Sequence, residues 1–304
     1  MKNKLISLFF AFWMSAMAVF NAAAKQIFPG YDDVYILSPH PDDGILTFGG
    51  MLGNIDNRFD TRKIHYTVLA NLSQYVVNGD ENSLAGVTGL RHLEDINAYD
   101  FLLTSPDGIR HYTYSALNEK DAPLINMRDA DFSSFNAQAI VDFNNAYSQI
   151  ANLMEQASLE GKTCAFFVNA ALPNPQGLPH FNHFLLREAT LKAVHDLGTK
   201  KLACEVYIGE DLPYYNNNEA GSKDIINQLT ARLKLSIFDY PIDVDKKMEA
   251  VNYYPSQLTS DYEESVRKRA HQLNGKERVY KIDATFYDDI HTDPSCGNQD
   301  FCTY

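Results

Sequence analysis

Ser38-Pro39-His40-Pro41-Asp42-Asp43 is the stretch on which the fold of this chain turns. It follows the apolar run Val34-Tyr35-Ile36-Leu37 and leads into a helix-like segment that opens at Gly44. One imidazole and two adjacent carboxylates therefore stand where a buried strand hands over to a helix. Ligands of open α/β sheets bind beyond the carboxyl ends of strands. Each X-Pro step holds the preceding residue extended, so Ser38 and His40 are kept out of a helix and the turn is stiff. These residues fit half of a metal-hydrolase site. They also fit a polar strand-to-helix loop in which Asp43 caps the helix.

Outward from this stretch, strand and helix patterns alternate. Residues 64–69, 164–168, 202–208, 233–238 and 279–282 read as strands, being β-branched, aromatic or continuously apolar. Residues 88–103, 137–159, 184–197, 244–253 and 262–273 carry helical apolar spacing. The alternation predicts an α/β fold, a three-layer αβα arrangement with a largely parallel sheet. Residues 109–136 read as an irregular stretch carrying His111, and 211–222 as a polar loop carrying Tyr214-Tyr215. There is no internal repeat and no low-complexity linker, so residues 25–304 are expected to form one domain.

The N-terminus speaks to the compartment. Lys2 and Lys4 precede a mostly apolar run from Leu5 to Phe20, followed by Ala22-Ala23-Ala24. This is the layout of a secretory signal peptide spanning 1–24, with cleavage expected after Ala24. The mature protein is then secreted or periplasmic, with no membrane span left after cleavage. The full chain has a formal net charge of −13, and removing Lys2 and Lys4 takes it to −15. Such an acidic chain is a poor partner for nucleic acid. The only tryptophan, Trp13, lies in the signal, so any stacking on a sugar falls to tyrosine or phenylalanine. Four cysteines in an exported chain suggest two disulfides, Cys296 with Cys302 across a short loop and Cys164 with Cys204 by default.

His180-Phe181-Asn182-His183 is the second motif. It too follows an apolar strand, through a Pro- and Gly-rich loop, and opens a helix. In a parallel sheet both motifs lie on the same edge, where their His and Asp side chains can converge on one ion. Zinc fits, because imidazole and carboxylate are its usual ligands and a catalytic site uses three of them.

With both motifs in place, the chain resembles the PIG-L/LmbE-like family of zinc-dependent N-deacetylases. That family shares a Rossmann-like fold, a His-Pro-Asp-Asp motif after the first strand and a later His-x-x-His. Arg91-His92-Leu93-Glu94 resembles its Arg-x-x-Glu helix, and Tyr254-Pro255-Ser256-Gln257 its Tyr-x-Ser-Gln segment. The resemblance implies His40, Asp43 and His183 as zinc ligands and Asp42 as general base. It implies His180 as a residue that assists at the oxyanion or protonates the leaving amine, and Arg91 and Asp107 as contacts to the substrate. It further implies hydrolysis of an N-acetyl or other N-acyl group from an amino sugar or glycan. Hydrolysis of another amide at the same metal, and a non-catalytic sugar-binding module on a decayed scaffold, are the alternatives. Two positions depart from the family: Gly44 stands where Glu is common, and Phe181-Asn182 where Pro-Asp is frequent.

Overall fold

The computed structural model describes residues 31–55, 63–127 and 131–296. The expected signal, 1–24, and Cys302 of the expected Cys296–Cys302 pair lie outside them. β1 (Asp33–Ser38) is buried along its whole length. It pairs in parallel with β2 (Lys63–Val68) on one side and with β4 (Cys164–Asn169) on the other. Continuous apolar strands of this kind suit the centre of a parallel sheet covered on both faces.

The seven-stranded sheet runs β3-β2-β1-β4-β5-β7-β6. β3 is Tyr112–Ala116, β5 is Glu205–Gly209, β6 is Leu235–Pro241 and β7 is Lys276–Ile282. The first five strands are parallel; β7 is antiparallel to both β5 and β6. Helix α1 (Asp43–Gly53) packs with α2 (Leu84–Leu103) and with a helix over Val244–Val251. On the other side, α3 (Ala137–Leu159) packs along α4 (Phe181–Lys201), which breaks at Gly198 (φ 59°). The sheet between these helix groups gives the expected three-layer α/β architecture. Among the described residues, no helix is long and apolar enough to cross a membrane.

Two segments differ from the sequence reading. The stretch read as irregular holds β3, which is an edge strand with alternating exposure and so lacks a continuous apolar run. The stretch read as a polar loop holds α5 (Tyr214–Asn217) and the start of α6 (Glu219–Leu233). Its asparagines act as helix punctuation: the Asn218 side chain accepts the Gly221 amide at 3.1 Å. α7 (Val244–Val251) and α8 (Ser260–Gln272) complete the helices. Cys164 and Cys204 form a disulfide, as expected, joining the start of β4 to the residue before β5.

From β1 the chain winds to β2 and β3 in one direction, then returns to β4 beside β1 and winds to β5 in the other. The crevice beyond the C-terminal ends of β1 and β4 is therefore the topological switch point, where such sheets bind ligands. Both His-bearing motifs leave the sheet there.

Candidate metal centre

The turn after β1 is held by its own side chains. Ser38 Oγ donates to the His40 carbonyl at 2.6 Å. Asp43 Oδ2 accepts the His40 amide at 3.1 Å and stands 2.9 Å from His40 Nδ1. The Asp43 carboxylate thus folds back onto His40 and does not cap the helix. The N-cap position of α1 belongs to Asp42, whose side chain makes no capping bond. Gly44 has a packing reason: a Cβ there would stand 2.5 Å from Tyr99 Oη and 2.7 Å from Tyr66 Cε2. The two tyrosine rings stack 4.0 Å apart beneath the turn and leave no room for a side chain.

His183, on the first turn of α4, comes to the same point from the β4 side. Its Nε2 lies 3.1 Å from Asp43 Oδ2, and its Nδ1 lies 3.4 Å from Asp211 Oδ2. Neither ring nitrogen makes an aligned hydrogen bond, although the side chain is buried. Asp211 follows β5 and is fixed by the Leu172 amide, which donates to Oδ2 at 2.7 Å. His180 completes the cluster: one ligand atom each from His40, His180 and His183 all lie within 4.8 Å of one another. Ligands at ordinary zinc distances in a tetrahedron stand about 3.3 Å apart. Asp43 Oδ2, 2.9 Å from one imidazole nitrogen and 3.1 Å from another, is close to that spacing. The buried, unsatisfied imidazole nitrogens and the borderline donor set fit a divalent transition metal.

Asp42 faces the cavity and is met by Arg91 from α2, Nη2 to Oδ1 at 3.3 Å. Arg91 Nη1 also reaches Ser73 Oγ at 3.0 Å and Asp121 Oδ2 at 3.4 Å. Arg91 therefore makes no ordinary helical pair with Glu94. Glu94 instead accepts the Ser256 amide at 2.8 Å and the Ser256 hydroxyl at 2.6 Å. Asp121, beyond the end of β3, is a site residue that sequence reasoning missed. Its Oδ1 is 3.3 Å from His40 Nε2.

Asp107 is not brought to the site. It sits exposed in the turn between α2 and β3, hydrogen-bonded by the Ser105 hydroxyl. That turn precedes β3 and lies at the N-terminal edge of the parallel strands, opposite the metal cluster. The acidic residue that chain topology delivers to the site is Asp121. Asn182 holds the loop that carries it: Oδ1 accepts the Ala122 amide at 2.8 Å, and Nδ2 donates to the Lys120 carbonyl at 3.2 Å. That dual role needs an amide, since a carboxylate has no N–H to give.

The electrostatics separate the two acids. Burial, reinforced by the charge of Asp43 and opposed by Arg91, pushes Asp42 up to about 7. Burial acts the same way on Asp43, but His183 and His40 outweigh it and hold that carboxyl well below the usual range. Burial alone would lower His40, yet Asp121 and Asp43 raise it to about 9. Against the same burial, Asp43 and Asp211 raise His183 to about 10. His180 goes the other way: burial, then His40 and His183, push it well below its ordinary value.

These groups form the floor of a cavity of about 440 Å³. Its lining includes His40, Asp42, Asp43, Arg91, Asp121 and His180. Gln257, from the segment that Glu94 holds, and Tyr214 also reach it, whereas Tyr215 turns away under the Arg269 guanidinium.

No protein-family model matches the chain, and no curated protein matches it. Solved structures do. A zinc-inhibited form of the teicoplanin deacetylase Orf2 superposes with a TM-score of 0.55 at 18% identity, over 83% of this chain and 98% of that one. The N,N'-diacetylchitobiose deacetylase of Pyrococcus horikoshii gives 0.55 at 14% identity, over 89% and 94%. The A40926 pseudoaglycone deacetylase Dbv21 gives 0.54 at 18% identity, over 84% and 98%. At these identities the likeness is one of fold, and it extends over nearly the whole of each of those chains.

Proposed function

We infer that this chain is an exported, metal-dependent hydrolase that removes a short N-acyl group, acetyl above all, from an amino sugar or glycan. One observation carries the reading: His40, Asp43 and His183 converge at the switch point while Asp42, on the same turn, is left facing the cavity. The fold shared with three deacetylases supports it. The Cys164–Cys204 disulfide supports the export part, since such bonds persist in oxidising compartments.

His40, Asp43 and His183 would hold the ion, zinc by their chemistry. Bound there, it supplies a Lewis acid that polarises the amide carbonyl and acidifies a water. Asp211 beside His183 Nδ1, and Asp121 and Asn182 beside His40 Nε2, orient the two imidazoles. Asp42 takes the proton of the attacking water. His180 donates an N–H to the carbonyl oxygen as negative charge gathers on it. The proton held by Asp42 goes to the amine nitrogen. The C–N bond then breaks, and carboxylic acid and amine leave.

The test is acetate release from N-acetylated sugars by the zinc-loaded protein, beside Asp42→Asn. Loss of turnover with metal content retained is expected. Turnover that survives Asp42→Asn, or a wild-type protein that binds zinc but cleaves no N-acyl sugar, would overturn the reading.

A further inference from the structure

The cavity floor carries the chemistry; one wall carries a second pattern. Tyr214 stands edge-on to His183, with ring centroids 5.2 Å apart. Tyr262 lines the same cavity as Tyr214, Tyr75, Asp42 and Asp43. Tyr75 ends the series at the mouth, 49% exposed. Three aromatic rings thus lead from the acid–imidazole cluster to solvent.

This wall is braced. Gln257 Nε2 donates to the Tyr75 carbonyl at 3.1 Å. The Val77 and Asn78 amides donate to the Ser256 carbonyl at 2.8 and 3.2 Å. Asn174 and Gln176 add amide groups to the lining, and the Asn174 carbonyl is anchored by Asn218 Nδ2 at 2.9 Å.

The composition of the lining is selective. Among the described residues, no Leu, Ile, Val, Met or Phe side chain lines the cavity; its apolar surface is tyrosine and proline. A sugar stacks its C–H face on aromatic rings and bonds its hydroxyls to amides, as tyrosine and asparagine surfaces allow. A long acyl chain needs aliphatic walls to gain from burial. Among the described residues, Arg91 is the only Lys or Arg in the lining, and its guanidinium already holds Asp42 and Asp121, so none of them offers a free cation to an anionic sugar.

We propose that Tyr262 and Tyr75 form a subsite for a second sugar unit. The substrate is then a neutral oligosaccharide or glycan bearing short N-acyl groups, and not a lone N-acyl monosaccharide or a long-chain N-acyl sugar. This rests on the hydrolase reading above. The reacting unit sits over the His40–Asp43 floor and its neighbour against the tyrosine wall.

The experiment measures acetate release by the zinc-loaded full chain from N-acetylglucosamine and from its β-linked disaccharide and trisaccharide. kcat/KM for the disaccharide should exceed that for the monosaccharide by about tenfold, the worth of one good stacking contact. In Tyr75→Ala the ratio of the two should fall toward one, and in Tyr75→Phe it should hold. Using the ratio cancels any loss of folded protein. Equal kcat/KM for the two substrates in the wild type, an unchanged ratio in Tyr75→Ala, or faster cleavage of an N-octanoyl than an N-acetyl disaccharide would overturn the subsite while leaving the hydrolase reading intact. Failure to cleave any of these substrates removes the hydrolase reading, and the subsite with it.

Discussion

Arg91 Nη2 stands 3.3 Å from Asp42 Oδ1 while Nη1 of the same guanidinium reaches Asp121 Oδ2 at 3.4 Å. Ser73 Oγ, 3.0 Å from Nη1, also donates to Asp121 at 2.7 Å. One cation from α2 therefore ties together the loops that follow β1, β2 and β3. It sets the direction of the proposed base and holds the acid that backs His40.

Replacing Arg91 by Met should leave buried carboxylates without their cation. Breaking one side of a buried pair costs about 3–5 kcal/mol. Arg91→Lys should recover only part of this, because one ammonium cannot fork between Asp42 and Asp121. Urea unfolding of the two variants tests it. A midpoint for Arg91→Met equal to that of the wild type would remove the guanidinium from its role as the tie between the loops.

Asp211 is buried beside His183 and does not line the cavity. Asp211→Asn keeps the shape and the acceptor for the Leu172 amide but weakens the partner of His183 Nδ1. Losing such an outer carboxylate lowers metal affinity about 10–100-fold. Titration of the apo-protein with zinc against a chromophoric chelator reads this directly. Unchanged affinity would mean that the 3.4 Å approach of Asp211 to His183 is packing alone.

Gly44 is a matter of space. A methyl group at this position meets Tyr99 Oη and Tyr66 Cε2 well inside contact distance, and overpacking of this kind costs about 1–3 kcal/mol. Gly44→Ala should lower the thermal midpoint, and adding Tyr99→Phe should restore part of it by removing the nearer atom. Full stability of the single variant would show that the stacked tyrosines move aside freely.

The two halves of the metal cluster are legible in the sequence because they sit at the ends of β1 and β4, whose buried apolar runs announce themselves. Pro39 and Pro41 further mark where β1 stops. Asp121 and Asp211 carry no such mark. A single aspartate in a polar segment looks like any other, and only the strand it follows gives it meaning. For Asp121 that strand is β3, an edge strand whose outward residues are polar. Asp107, by contrast, has a conspicuous turn beside it, but the turn stands before β3 and not after it. The signal that would have separated them is which end of a strand each residue occupies. Tyr75 and Tyr262 are further from legibility, since they meet in one cavity from segments almost two hundred positions apart in sequence.

Asp95 provides a pH test away from the metal cluster. It is fully buried on α2, with Oδ1 accepting from Tyr254 Oη at 2.6 Å and from Tyr66 Oη at 3.3 Å. Among the described residues, its Oδ2 has no aligned hydrogen-bond partner. Burial pushes its carboxyl up to about 8, although the tyrosine hydroxyls pull the other way. Below about pH 3 the group is protonated in folded and unfolded chains alike and contributes no pH dependence. As pH rises from there, the unfolded chain ionises first, so stability falls until the folded group ionises near pH 8 and then levels off. The loss across this window is on the order of a few kcal/mol. Asn at this position mimics the protonated acid and cannot ionise. The gain of Asp95→Asn over the wild type in urea should therefore be small near pH 4.5 and largest near pH 8. Parallel stability profiles for the two proteins from pH 4.5 to 8 would show that Asp95 is ionised in the fold throughout.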